Sequence, residues 1–429
     1  MRKIILFVSV FYAMAFMASC TGYEEVEESG VTDNVQSDVL SESDALEIVK
    51  TFQRGVEGEN SSRAASLHGC TYGIVDKYYI SHSLPASRTT RSLDVAQGLV
   101  YEVSIDKGAY KGKALVSGDK RCPEVIAYIP VCNDSVEESR TGVPIMLQMA
   151  KETFIKHLES NETEKNDVAS TRSNPVEVIP TQVYMAVVPV CKTAWGQWEP
   201  YNNAYPKNWV DIFGGMCTYG HYPTGCAVTA VAQIMAALEP NLTCAGLKMD
   251  WAYLKEDKTI NSGPFGKVDP ERKIDMVAAL FKDIYDKTGS SPIWGTGDTD
   301  AYPPERVACI TDVTTLASKV YDYLNSGSGV TYCSNYQKWN FDVVKNSLLG
   351  LCPVFVAGAS HAFVVDGYAV AKNESSSINN TYFHACFGWD GSGDGYYLSN
   401  TDGAVSFDTV VGGIYDTPQL NILSNIRRR

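Results

Sequence analysis

Thr224 to Leu238 reads TGCAVTAVAQIMAAL. Val228, Val231, Ala232, Met235 and Leu238 recur at steps of three and four, which puts them on one helix face. Pro240 ends the run. Cys226 therefore falls in the first turn of a helix whose apolar face is buried. The N–H groups of that turn and the positive end of the helix dipole favour a thiolate over a thiol. A thiolate attacks carbonyls, so the stretch reads as a seated nucleophile. The competing reading is a buried structural cysteine that opens a core helix, since unbridged cysteines are common inside proteins.

A cysteine nucleophile needs a base within hydrogen-bond reach. The chain has six histidines, and His68, His82 and His157 lie in its leading part. His221 stands in a Gly- and Pro-containing loop ahead of Cys226 and has no rigid support. His361 opens an apolar run, HAFVVDGYAV, behind the small residues Gly358, Ala359 and Ser360. There a side chain can face a cleft while the strand holds its backbone. His384 sits inside a strand and fits a core role equally well. The order of preference is His361, His384, His221. A third group usually orients the imidazole. Asp366 lies at an odd offset from His361, which on a regular strand sends it to the opposite face. It reads as structural, capping the turn into Gly367. Gln197, in the loop WGQWEPYN, is placed to donate its side-chain amide to a developing oxyanion, with the backbone N–H of Cys226 as the second donor. A surface glutamine is the bland alternative.

The start of the chain reads as a targeting segment. Arg2 and Lys3 precede the apolar run Ile4 to Met17, and Ala18, Ser19 and Cys20 follow. The run is too short for an ordinary span and reads as a signal peptide. Its ending, MASC, resembles a bacterial lipobox, which implies lipidation at Cys20; plain secretory cleavage is the alternative. An exported bacterial protein is expected, as a lipoprotein on the outer membrane or cell surface, otherwise periplasmic or secreted. The net charge of −14 argues against nucleic acid or an anionic membrane surface as partner. Membrane contact is expected only through the lipid. Twelve cysteines in an exported chain permit disulfides, but spacing does not reveal the pairing. No CxxC pair occurs, so a zinc knuckle is not expected, and neither a metal nor a cofactor is called for.

Residues 21–42 are acidic, contain no Lys or Arg, and read as a solvated tether. Residues 43–158 form the expected leading domain. Within it, Ser43 to Phe52 reads as a helix with Ser43 as cap, and Leu99 to Ile105 and Val125 to Val131 read as strands. Residues 159–179 read as an exposed, cleavable linker, with Arg172 as a cleavage point. Residues 180–429 form the second domain. Helices are expected at Ile274 to Tyr285, Val313 to Leu324 and Phe341 to Leu349, and a surface loop at Gly289 to Pro304. Strands are expected at Pro353 to Val356, His361 to Val370, Thr381 to Trp389 and Gly395 to Leu398. Turn residues Asp390, Gly391, Gly393 and Asp394 separate the last two. Helices first and strands later predict an α+β domain with an antiparallel sheet.

Five stretches together resemble the streptopain family of papain-like cysteine peptidases: WGQWEPYN (Trp195 to Asn202), TGCAVTAVAQIM (Thr224 to Met235), SHAFVVDGY (Ser360 to Tyr368), FHACFGWDGSGDGYY (Phe383 to Tyr397) and VSGDKRCPE (Val116 to Glu124). The last is similar to the family's propeptide. The resemblance implies a papain-like fold, with Cys226 as nucleophile, His361 as general base and Gln197 in the oxyanion hole. It implies that the leading domain is an inhibitory propeptide that blocks the cleft until the linker is cut. Asp390 to Tyr396 would border the cleft, and Gly388 and Trp389 would support the pair or line a subsite. One departure stands out. The family commonly has His-x-Asn-Trp-Gly-Trp where this chain has His384, Ala385, Cys386, Phe387, Gly388 and Trp389. Cys386 occupies the Asn position, and a thiol is a weak hydrogen bonder. A Cys–His dyad of lowered activity follows. The resemblance thus implies a cysteine endopeptidase made as a zymogen, working through a thiolate–imidazolium pair and an acyl-enzyme. It would act on proteins or peptides, with its own propeptide as inhibitor. A pseudopeptidase and a protease-inhibitor lipoprotein are the alternatives.

Overall fold

The computed structural model describes residues 39–58, 69–81, 97–108, 110–132, 154–155, 157–158, 182–207, 220–263, 267–294, 310–358, 361–372, 379–399, 406–409, 413–416 and 420–429. The signal segment with Cys20, most of the tether, and the linker with Arg172 lie outside these residues.

The strand that follows His361 is apolar on both faces, and a strand of that kind needs a cover on each side. Ala362 to Ala371 are all buried. This strand lies within an antiparallel sheet of eleven strands among the described residues. The leading segment supplies β1 (Thr71–Ser81), β2 (Gln97–Asp106), β3 (Lys111–Ser117) and β4 (Val125–Cys132), and β5 (Gln182–Val187) follows. The later part supplies β6 (Gln337–Lys338), β7 (Val354–Ala357), β8 (Ala362–Lys372), β9 (Asn379–Cys386), β10 (Gly395–Leu398) and β11 (Asn421–Leu423). The order is β1-β2-β3-β4-β10-β9-β8-β7-β11-β6, with β5 paired to the far half of β8. The expected mixed α+β architecture with an antiparallel sheet is therefore present. The sheet of the leading segment does not stand apart, however: it continues into that of the second part.

The seam is the pairing of β4 with β10, Tyr128 opposite Tyr396 and Ala127 opposite Tyr397. A Cβ on Gly395 would lie 2.4 Å from the Tyr128 carbonyl oxygen, so the two backbones approach as closely as glycine allows. Helix α1 (Glu42–Glu57) lies across the seam. Its Ala45, Ile48, Val49, Phe52 and Val56 recur at helical spacing and are buried. The Phe52 ring lies 5.8 Å from that of Tyr128, 4.7 Å from Tyr382 and 6.2 Å from Tyr396. The helix starts earlier and runs longer than its sequence pattern predicts. Ser41, not Ser43, caps it, accepting from the Asp44 N–H at 3.2 Å. The end of the expected tether is also part of the fold, since Leu40 is fully buried and its N–H donates to Gly118 O at 2.7 Å. Below α1 the seam is polar. Glu124 accepts from the Asn380 amide and pairs with His157 Nδ1 at 3.1 Å, while His157 Nε2 bonds Ser399 O at 3.0 Å.

Helix α2 (Cys226–Leu238) is the centre of the second part. Ala227 to Ala236 are all buried, so this helix is covered all round rather than on one face. A stretch without a single charged residue suits that position. It packs between the sheet and α3 (Glu271–Lys287), through residues such as Val231, Val364, Leu280 and Phe281. The expected helix from Val313 to Leu324 is not continuous. Ile310–Thr314 is a strand paired with Ser291–Trp294, α4 covers Ala317–Asp322, and a wider turn covers Tyr323–Gly327. The β-branched run Val313, Thr314, Thr315 favours the strand over the helix. The same pairing makes residues 291–294 of the expected Gly289–Pro304 loop a strand. Helix α5 (Phe341–Leu349) matches its expected bounds. Strand β9 stops at Cys386 rather than reaching Trp389. Among the described residues no helix is long and apolar enough to cross a membrane.

Candidate active site

Cys226 is the first residue of α2, and no side chain caps this helix start. The N–H groups of the first turn have no intrahelical acceptors and favour negative charge beside them. Gly225 enters the helix at φ 83°, and a Cβ there would lie 2.6 Å from Val313 O. Only glycine fits both conditions. The half-buried Cys226 sulfur accepts from the Ala362 N–H at 3.3 Å, the residue directly after His361. The start of α2 and the start of β8, distant in sequence, thus meet at Cys226.

The Gln197 loop is fixed to the same helix. Gln197 O accepts from the Thr224 N–H at 3.0 Å, two residues before the nucleophile. Gln233 of α2 receives the Trp195 N–H and the Thr193 hydroxyl on Oε1, each at 3.4 Å. These bonds hold the loop beside the start of α2.

His361 Nε2 lies 2.9 Å from the main-chain oxygen of Phe387. A carbonyl only accepts, so Nε2 carries the proton and Nδ1 keeps the lone pair. Trp389 stacks on the imidazole at 4.8 Å and 24°. The ring is only 9 % exposed, and burial pushes its pKa down to about 4 despite the Phe387 bond. Burial thus favours the neutral form of the ring. Phe387 is fixed in turn, its N–H donating to Asp394 Oδ1 at 2.8 Å. Burial raises Asp394 to about 7 and Asp390 to about 6. Gly388, at φ 77°, lays this turn on α2: a Cβ there would lie 2.9 Å from Thr229 Cγ2. A Cβ on Gly196 would lie 2.3 Å from both Asp390 carboxylate oxygens, so the turn also abuts the Gln197 loop.

As expected of a thiol at the family Asn position, the buried Cys386 sulfur is turned to Cys191 and Asp366. The His361 ring is held instead by the Phe387 carbonyl, itself fixed by Asp394, and a backbone carbonyl leaves no mark in a sequence. Other expectations change. Asp366 does not cap a turn. It sits within β8 at a register shift between Val365 and Gly367, fully buried, with His384 Nδ1 on Oδ1 at 2.6 Å and the Cys191 N–H on Oδ2 at 2.8 Å. His384, second in order as a base, is thereby committed to Asp366. His221, third in order, pairs instead with Glu199 at 3.7 Å. Among the described residues, two buried clusters carry donor types that suit a metal, Cys191–Asp366–Cys386 and Cys122–Glu124–His157.

Residues 195–397, which span this whole arrangement, match the model of the Peptidase C10 family. Over these residues, just under half of the chain, the sequence is similar to that family. Streptopain of Streptococcus pyogenes is 23 % identical over 327 residues, covering 70 % of this chain and 73 % of that protein. Among solved structures, a fragment of prointerpain A from Prevotella intermedia is 18 % identical with a TM-score of 0.45, over 82 % of this chain and all of that one. Active interpain A from the same organism is 18 % identical with a TM-score of 0.36, over 60 % of this chain and all of that one. The match supports a cysteine peptidase, and it begins at Trp195, the first residue of the Gln197 loop.

Proposed function

We propose that the chain is a cysteine endopeptidase made as a zymogen. The observation that carries this is the Cys226 sulfur seated against the Ala362 N–H, one residue from a histidine whose tautomer is set by Phe387 O. His361 Nδ1 takes the thiol proton as the sulfur attacks the peptide carbonyl. The oxyanion is met by the Cys226 N–H, which as the first of a helix has no intrahelical acceptor, and by the Gln197 amide. The tetrahedral species collapses to a thioester, and the imidazolium protonates the departing amine. Water, deprotonated by the same imidazole, then attacks the thioester and returns the free thiol. Trp389 shields the imidazole from solvent.

Residues 43–158 act as the propeptide, and a cut between 159 and 179 releases them. A hydrophobic residue before the scissile bond is the expected preference. Residues 1–20 direct export, and lipidation at Cys20 anchors the chain to the outer membrane or cell surface. The pseudopeptidase reading rested on Cys386 at the Asn position, and the Phe387 carbonyl supplies the acceptor that such an Asn would provide. Labelling with an epoxide inhibitor of cysteine peptidases tests the assignment. Modification at Cys226, with loss of maturation and of casein cleavage in Cys226→Ala, is expected. A wild-type chain that stays inert after the linker is cut and residues 43–158 are removed rules it out. Mass analysis of the N-terminus of the uncleaved precursor tests the anchor.

A further inference from the structure

Beyond the catalytic pair, the core of the second part holds two cysteines that the mechanism leaves unused. Cys191 precedes the Gln197 loop, and Cys386 ends β9, one residue before Phe387. Their sulfurs and an Asp366 oxygen all lie within 4.8 Å of one another. Both side chains are buried, at 7 % and 2 % exposure. Both backbones are fixed: the Cys191 N–H donates to Asp366 Oδ2, and Cys386 pairs with Val364 of β8.

We propose that Cys191 and Cys386 form a disulfide that ties the loop bearing Gln197 to the strand delivering the Phe387 carbonyl. The alternative for such a cluster, a zinc site with Asp366, needs two thiolates. The neighbouring Cys191 sulfur, burial and Asp366 raise Cys386; Cys386 lowers Cys191, which burial and Asp366 leave raised, so without an ion both stay thiols. The oxygens of Asp366 are already engaged by His384 and the Cys191 N–H. A disulfide is neutral, removes two buried S–H groups and leaves those bonds in place. It closes when each sulfur turns toward the other, to a bond of about 2.0 Å.

The oxidant is a disulfide, carried by an exported thiol oxidoreductase or a small molecule such as oxidised glutathione. A thiolate attacks it, one thiol leaves, and the second cysteine resolves the mixed disulfide. The two cysteines together give up two electrons and two protons, and the donor becomes two thiols. The step belongs to folding, before burial. It requires an oxidising compartment, which the export reading of residues 1–20 supplies.

The test uses the full chain carrying Cys226→Ser, refolded in a glutathione redox buffer, denatured and alkylated without reductant, then digested and mass-mapped. A Cys191–Cys386 linked peptide is expected. Alkylation at both positions, linkage of either to another cysteine, or about one equivalent of bound zinc with both thiols retained overturns the proposal. A second measurement compares thermal midpoints with and without reductant. The oxidised chain is expected to lose about 5 °C on reduction. The Cys191→Ala/Cys386→Ala variant is expected to show no such shift. A parental midpoint indifferent to reductant, or a shift retained by the double variant, overturns it as well. Neither readout depends on peptidase activity, so failure here is distinct from failure of the peptidase reading.

Discussion

The imidazole of His361 is oriented by the main-chain oxygen of Phe387, 2.9 Å from Nε2. This bond makes the base depend on the backbone of a turn rather than on a side chain. The turn is held by Asp394, which receives the Phe387 N–H at 2.8 Å. Asp394→Ala removes that acceptor, and kcat/KM of the mature enzyme is expected to fall about tenfold to a hundredfold, mainly in kcat. Asp394→Asn keeps an oxygen able to accept from Phe387 and is expected to retain most of the activity. Equal losses in the two variants would mean that charge, not the hydrogen bond, matters.

Restoring the family residue at position 386 brings no gain. Asn at Cys386 would place an amide among Cys191, Asp366 and His384, away from Phe387 O. Cys386→Asn is expected to leave kcat unimproved and to lower stability by about 1–3 kcal/mol through imperfectly paired buried groups. Urea unfolding and peptide-substrate kinetics of the same preparation measure both. A rise in kcat would mean that the Cys386 side chain can reach the base after all.

Asp394 also sets a sign for pH dependence. Burial lifts its carboxyl from an ordinary 3.8 to about 7 in the folded chain. The folded state therefore holds the proton more tightly than the unfolded state. The stability gained in this way is fully present below pH 4 and is lost as pH rises toward 7. His361 acts in the opposite sense. Its value falls from 6.5 to about 4, so its contribution is present above pH 6.5 and lost as pH falls toward 4. Denaturant unfolding of Asp394→Asn, subtracted from the parent across pH 4 to 8, isolates the first effect. The variant is expected to gain on the parent steadily between pH 4 and 7. A flat difference would place Asp394 in contact with water.

Much of the site was legible because it rests on helical periodicity and small residues. The Val228, Val231, Met235 pattern and the Gly225–Cys226 junction gave the helix start at Cys226, and the apolar run HAFVVDG gave the strand that follows His361. What was not legible depends on tertiary register. The parity argument correctly kept Asp366 away from His361, but the strand is irregular there. Phe363 and Val365 share a core with Tyr368 and Val370, so the inward parity switches across Asp366 and Gly367. Nothing in the residues announced that switch or the His384 partner it creates. The seam was hidden for a similar reason. Strands β4 and β10 lie far apart in sequence, and each alone reads only as an apolar run.

The seam yields a prediction on activation. Release of residues 43–158 requires separating β4 from β10 and withdrawing Phe52 from Tyr382 and Tyr396, so a cut linker alone does not free them. Phe52 is fully buried, and Phe52→Ala is expected to weaken docking by about 3–5 kcal/mol while leaving every residue of the second part unchanged. After limited proteolysis in the linker, the parental leading segment is expected to co-elute with the second part on size exclusion. The Phe52→Ala segment is expected to elute separately, and activity to appear sooner after cleavage. Gly395→Val should act from the other side of the seam by driving a side chain into the Tyr128 carbonyl. If both variants stay associated as firmly as the parent, docking depends on the Glu124, His157 and Asn380 contacts rather than on the aromatic cluster and strand pairing. Phe52 would then serve only the leading segment's own core.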